Sequence, residues 1–168
     1  MSKPALTMTP SQTIGPFWHL LGETGDDDLT RLGAQAGAQA AAPIELAGRV
    51  TDGDGALVTD ACIELWQATP AASPSFLGWG RCATDLHGEY RFVTLAPDAA
   101  APYLAIAVFA RGLLRPLWTR VYLADVADPL LDALPPGRKA SLLARPAPGG
   151  WRWDIRLQGD GETVFLDF

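Results

Sequence analysis

The sequence predicts an all-β fold, a two-sheet β-sandwich, on three observations. Short apolar segments alternate with polar residues at a period of two, and Gly- and Asp-rich turn signals separate them at regular intervals. One segment, Tyr103 to Ala110, is apolar on both faces, as a central strand buried on two sides must be. At 168 residues the chain has the length of one domain with a sizeable core.

Residues 1–43 read as an N-terminal arm and connecting loop, and residues 44–168 as the sandwich core. Thr9 to His19 carries two prolines and a glycine without a clean period, so it reads as an extended arm with bulky anchors. Asp26 to Asp28 is a short acidic cluster, and Ala34 to Ala42 is alanine-rich. That stretch has no apolar stripe to pack, which makes it a loop or a weak helix.

Ile44, Leu46 and Val50 open the first strand, which stops at the turn Asp52-Gly53-Asp54-Gly55. The second strand lies within Ala61 to Ala68 and the third within Phe76 to Thr84, ending at Asp85-Leu86-His87-Gly88. Tyr90, Phe92 and Thr94 alternate with Arg91 and Val93 in the fourth. The central strand Tyr103 to Ala110 follows, then Leu117 to Leu123 beyond the Gly112/Pro116 bend. Asp128 to Leu143 is the one short helical region, interrupted by Pro135-Pro136-Gly137. A closing hairpin is expected from Trp153, Ile155 and Leu157 through Gly159-Asp160-Gly161 to Val164, Leu166 and Phe168.

Composition removes several function classes. The formal charge is −6, with no run of Lys or Arg, so nucleic acid and anionic membranes are poor partners. The longest apolar run, Ala99 to Ala110, contains Pro102 and is too short to span a bilayer. Met1 to Gln12 has no basic segment followed by an apolar one, and Cys62 and Cys82 form no CxxC pair; a cytoplasmic protein with reduced thiols is expected. Six tryptophans either all fill the core or extend in part to subunit contacts.

A metal site from this chain alone is not expected. His19 and His87 are its two histidines, one in the arm and one in a turn, without HxH or HxxxH spacing. Asp52 to Gly55 resembles a calcium loop faintly but lacks the flanking helices and distal Glu. There is no G-x-S-x-G elbow, and the cysteines lie within strand patterns like structural thiols. The glycines form neither a Walker nor a dinucleotide fingerprint. Two features remain. Arg111 ends the most buried strand, where it is either a surface arginine in a salt bridge or a guanidinium fork delivered to a cleft. The Thr13 to Pro16 arm either lines a pocket or covers a sheet edge.

Several motifs occur in an order that resembles one family. Thr9-Pro10-Ser11-Gln12-Thr13-Ile14-Gly15-Pro16-Phe17, Gly48-Arg49-Val50 through Val58, Ile63-Glu64-Leu65-Trp66-Gln67-Ala68, Gly80 to Asp85 and Gly88 to Phe92 are similar to the intradiol ring-cleavage dioxygenases. Phe109-Ala110-Arg111-Gly112-Leu113-Leu114, Thr119-Arg120-Val121-Tyr122, Asp154 to Gly159 and Glu162 to Phe165 resemble in particular the α chains of its two-chain members. The likeness spans nearly the whole chain and thins between Gly22 and Pro43.

The resemblance implies a prealbumin-like sandwich that takes part in cleaving 3,4-dihydroxybenzoate with O₂ to 3-carboxy-cis,cis-muconate. It further implies an Fe(III) held by two Tyr and two His of a partner β subunit in an αβ hetero-oligomer. Where the iron-binding chain has His-x-His, this one reads Tyr103-Leu104-Ala105, unlike many α chains, which keep a histidine there. Neither Thr69 to Leu77 nor Ala96-Pro97-Asp98 supplies a tyrosine ligand. By motif, Thr13, Gly15 and Pro16 would form a wall of the partner's substrate pocket, and Arg111 would be its catalytic and substrate-binding cation. The competing readings are a non-catalytic prealbumin-like binding or scaffolding module and a self-sufficient catechol or hydroxyquinol dioxygenase; the missing ligands stand against the latter.

Overall fold

Two sheets face each other across one apolar core. The computed structural model describes residues 10–15, 17–18, 25–36 and 42–167. Among them it forms nine strands, β1 (Ile44–Thr51), β2 (Cys62–Trp66), β3 (Trp79–Ala83), β4 (Glu89–Thr94), β5 (Leu104–Phe109), β6 (Leu117–Val121), β7 (Arg145–Ala147), β8 (Gly150–Arg152) and β9 (Ile155–Arg156). Its helices are α1 (Arg31–Ala36), α2 (Pro129–Ala133) and α3 (Pro136–Lys139), with a 3₁₀ turn at Ala140–Leu142.

The first sheet runs β4-β1-β8-β7, with β9 continuing beside β1; β8 and β9 are parallel to β1. The second runs β3-β2-β5-β6, antiparallel throughout. Period-two alternation turns Leu46, Val50, Tyr90 and Phe92 of one sheet toward Ile63, Leu65, Leu104, Ile106, Val108 and Val121 of the other. The doubly apolar segment is β5, between β2 and β6. Its Leu104, Ile106 and Val108 enter this core, and Ala107 is buried on the opposite face.

Local chemistry sets the turns. Asp52 Oδ1 accepts the amides of Asp54 and Ala56, and Asp85 Oδ1 those of His87 and Glu89. Gly88 completes the second turn at φ +67°, a left-handed conformation suited to glycine. The helical region divides as the prolines dictate: Asp128 caps α2, and Pro135 and Pro136 open α3.

Two segments depart from expectation. Asp26 to Thr30, in the stretch read as connecting loop, runs along both sheets and buries Leu29 completely. Leu29 donates its amide to Val93 of β4, and Asp26 accepts the amide of Arg81 of β3. The first turn of the alanine-rich stretch belongs to α1; residues 37–41 lie outside the described residues.

The closing hairpin across Gly159 to Gly161 stops at its turn, where Gly159 accepts the Glu162 amide and Arg156 that of Thr163, and no described strand ladder continues beyond it. The chain's last hairpin joins β7 and β8 instead. Beyond Gly161 the chain crosses to the second sheet, where Leu166 donates its amide to Trp118 at 2.7 Å. Val164 is buried with Tyr122, Leu131 and Leu142 on the outer side of β6. Burying Val164 with these apolar groups outweighs extending the local ladder.

Candidate functional site

The finishing end of β5 gathers the polar groups that the sequence singles out. Ala110 follows the strand, and its carbonyl accepts twice: from the amide of Leu113 at 3.1 Å and from Thr13 Oγ1 at 3.2 Å. The first bond closes the turn that Gly112 permits at φ +85°. The second pins the N-terminal arm to the sheet across 97 residues of sequence. Gly15, at φ +77°, turns the arm so that its own amide lies 3.4 Å from Thr13 Oγ1. Further along, Trp18 Nε1 donates to the Asp60 carbonyl at 3.1 Å.

Arg111 sits beside this anchorage. Its Nε lies 3.0 Å from Asp60 Oδ2, with the arginine side chain 68% exposed and that of Asp60 only 12%. Neither Asp60 oxygen accepts an aligned hydrogen bond, so the contact is an ion pair and not a directed N–H···O bond. The β2–β5 register explains the meeting. Cys62 stands opposite Phe109, and two further steps along each strand bring Asp60 opposite Arg111 on the sheet's outer face.

Next to the strand end, Ile14, Gly15, Phe17 and Trp18 of the arm cover an apolar cavity of about 460 Å³. Phe109, Glu64 and Arg81 form its floor. Arg81 donates through Nε to Glu64 Oε1 at 3.0 Å and through Nη2 to the same oxygen, while Trp66 Nε1 donates to Oε2 at 3.3 Å. The arginine also lies over the Trp79 ring, 5.3 Å from its centroid. Glu64 and Arg81 thus neutralise each other, leaving the floor without a free charge.

Of the residues picked from sequence, Thr13, Gly15 and Arg111 come together around Ala110. Gly15 lines the cavity, whereas Thr13 and Arg111 stand at the neighbouring strand end. Pro16 and His19 lie outside the described residues. Sequence reasoning did not find Asp60, Trp18 or the Glu64–Arg81 pair. The β2–β5 and β2–β3 registers, which set Asp60 against Arg111 and Glu64 against Arg81, are the signal that exposes them.

The opposite end of β5 is built differently. Tyr103 and Tyr122 pack with ring centroids 5.7 Å apart, and the Arg120 guanidinium lies 3.9 Å from the Tyr103 centroid. Tyr122 donates its hydroxyl to Asp128 Oδ1 at 3.0 Å, and the same oxygen accepts the Leu130 amide at 2.8 Å. Burial, chiefly, pushes the Tyr122 phenol up to about 12.

These donors do not fit a metal centre. A bound metal needs several convergent, deprotonated ligands. Among the described residues no three His, Cys, Asp or Glu side chains converge. Burial pushes the Cys62 thiol up to about 12 and raises that of Cys82, so both stay protonated at neutral pH. Tyr122 is committed to Asp128, and a cation covers Tyr103. No described helix is long and apolar enough to cross a membrane.

A two-sheet sandwich with a pinned N-terminal arm and an arginine at the end of its central strand is the setting in which comparison with known proteins becomes informative. The family model described as Dioxygenase matches residues 14–110. The chain belongs to this family, the intradiol ring-cleaving oxidoreductases. Within it, the chain is 36% identical to the protocatechuate 3,4-dioxygenase alpha chain of Burkholderia cepacia, over 96% of this chain and 98% of that one. The beta chain of the same enzyme from that organism is 28% identical over 82% of this chain and 74% of its own length. Among solved structures, the dioxygenase domain of a dioxygenase–carbohydrate-binding protein fusion from Streptomyces sp. SirexAA-E superposes with a TM-score of 0.59 at 22% identity. That likeness covers 90% of this chain and 98% of the domain, and it shows the shared fold.

Proposed function

We propose that this chain is the iron-free α partner of a two-chain intradiol dioxygenase that opens the ring of 3,4-dihydroxybenzoate with O₂. In this reading a β chain holds the Fe(III), and the α chain completes the substrate pocket. The observation that carries it is the conflict between family and donor set. The family's chemistry uses Fe(III), yet the described residues do not fit a metal. Similarity to both an alpha and a beta chain of one enzyme supports the αβ assembly.

The roles of this chain's residues follow the motif likeness, and the meeting of Thr13, Gly15 and Arg111 around Ala110 supports them. Thr13, Gly15 and, by motif, Pro16 would form a wall against the partner's substrate, with Thr13 held by its bond to Ala110. Arg111 would present its guanidinium to the carboxylate of the substrate, where charge-assisted, bidentate bonds both bind and orient. A closed apolar wall also excludes water, which strengthens that attraction. A cytoplasmic setting belongs to this reading. Cys82 stands opposite Ile63, which points into the core, while Cys62 faces outward, so the two thiols on neighbouring strands cannot bridge.

The test is iron content and O₂ uptake with 3,4-dihydroxybenzoate, for the chain purified alone and after co-expression with a β chain. Iron and turnover confined to the complex support the proposal. Iron and turnover in the lone chain would overturn it.

A further inference from the structure

We propose that Asp60 is a positioning residue for Arg111, fixing the orientation in which the guanidinium meets an anionic substrate; this rests on the reading of Arg111 given above. An arginine two-thirds exposed at the end of a strand has many rotamers, and ordering them on binding costs side-chain entropy. Asp60 restricts that freedom in advance. Its carboxylate is largely buried and touches the arginine at Nε. The Nη1–Nη2 edge, which can pair with a carboxylate fork to fork, has no ion pair with a described residue.

Asp60 is itself held in place. Register with β5 puts it opposite Arg111, its carbonyl accepts the Trp18 indole, and the next residue, Ala61, is fully buried and accepts the amide of Thr84. The missing directed bond bears on its role. Asp52 and Asp85, which build exposed turns, each accept two backbone amides at one oxygen, whereas neither buried oxygen of Asp60 accepts an aligned bond. Asp60 instead spends its charge on Arg111. One residue thereby links the arm, through Trp18, to the cation.

The experiment uses the co-expressed αβ complex, with steady-state kinetics on 3,4-dihydroxybenzoate and on catechol, which lacks the carboxylate. Asp60→Asn keeps the shape and the Trp18 bond and removes the charge. It is expected to lower kcat/KM for 3,4-dihydroxybenzoate about tenfold, leave catechol unchanged, and add nothing in an Arg111→Ala background. Asp60→Glu, which retains the charge one methylene further out, is expected to recover part of the loss. It also serves as the test should Asp60→Asn fail to assemble, because a loss confined to the carboxylated substrate still reports positioning.

Equal losses on both substrates, or an undiminished effect in the Arg111→Ala background, would overturn the role. A strong Arg111→Ala effect beside a silent Asp60→Asn sinks the positioning alone. If Arg111→Ala is silent, the reading of Arg111 fails and this inference with it.

Discussion

The two ends of β5 carry similar chemistry to different purposes. At the starting end, an arginine, two tyrosines and an aspartate satisfy one another: Arg120 covers Tyr103, and Tyr122 and the Leu130 amide share Asp128. At the finishing end, Arg111 meets one described carboxylate at one nitrogen, with its side chain 68% exposed. Both ends lie on the outer face of the second sheet. The difference is coverage, since α2 and the C-terminal segment pack over the first end, whereas the described residues that approach the second belong to the short arm. A polar cluster closed on itself stabilises the fold and has nothing left for a ligand. A cation held on one side has a free edge to use.

Four substitutions test that contrast, from largest expected effect to smallest. Arg111→Ala is expected to lower kcat/KM of the αβ complex for 3,4-dihydroxybenzoate about a hundredfold, the worth of two charge-assisted hydrogen bonds, with iron content unchanged. Unaltered kinetics would place the open end outside the reaction. Asp128→Ala, at the closed end, removes both a buried partner of Tyr122 and the cap of α2. Urea unfolding is expected to show a loss of about 2 kcal/mol, with kcat/KM of the assembled complex unaffected.

Tyr122→Phe breaks one of those bonds and is expected to cost about 1 kcal/mol. It also changes the alkaline limb of stability. The Tyr122 phenol is pushed up to about 12 from an ordinary 10.0, so the unfolded chain ionises first. The corresponding stability is complete below pH 10 and is lost as pH rises through the folded value. Unfolding midpoints compared between pH 9 and 11 should fall more steeply for the parent than for the variant. Thr13→Val keeps the arm's shape but removes its bond to Ala110. A rise in KM of about threefold is expected, and a change in subunit association with unaltered KM would make the arm an assembly device only.

How much of this was legible in the sequence depended on the range of the interaction. Strands β1 to β6 showed through alternation, and their turns through Asp52-Gly53 and Asp85 to Gly88, because each signal lies within a few residues. The two-sided apolarity of residues 103–110 located the central strand directly. The end of the chain misled because Val164 and Leu166 alternate like a strand but are claimed by the cluster around Tyr122 and by Trp118. Alternation states which residues are buried, not which sheet buries them. At the site, Arg111 could be singled out by its position after β5, whereas Asp60 could not. Its importance depends on the β2–β5 register, which no local pattern carries.

The placement of β1 bears on how the chain is made. Its inner neighbours, β8 and β9, are paired from Glu45↔Gly150 to Thr51↔Arg156, more than a hundred residues apart in sequence. Until residues 150–156 have left the ribosome, the first sheet consists of β1 and β4 alone, with one long side of β1 unpaired. Such distant pairings form slowly, and an unpaired strand edge invites association with other chains. Prompt completion of this sheet therefore matters more for recovering the protein than the modest length of its chain suggests.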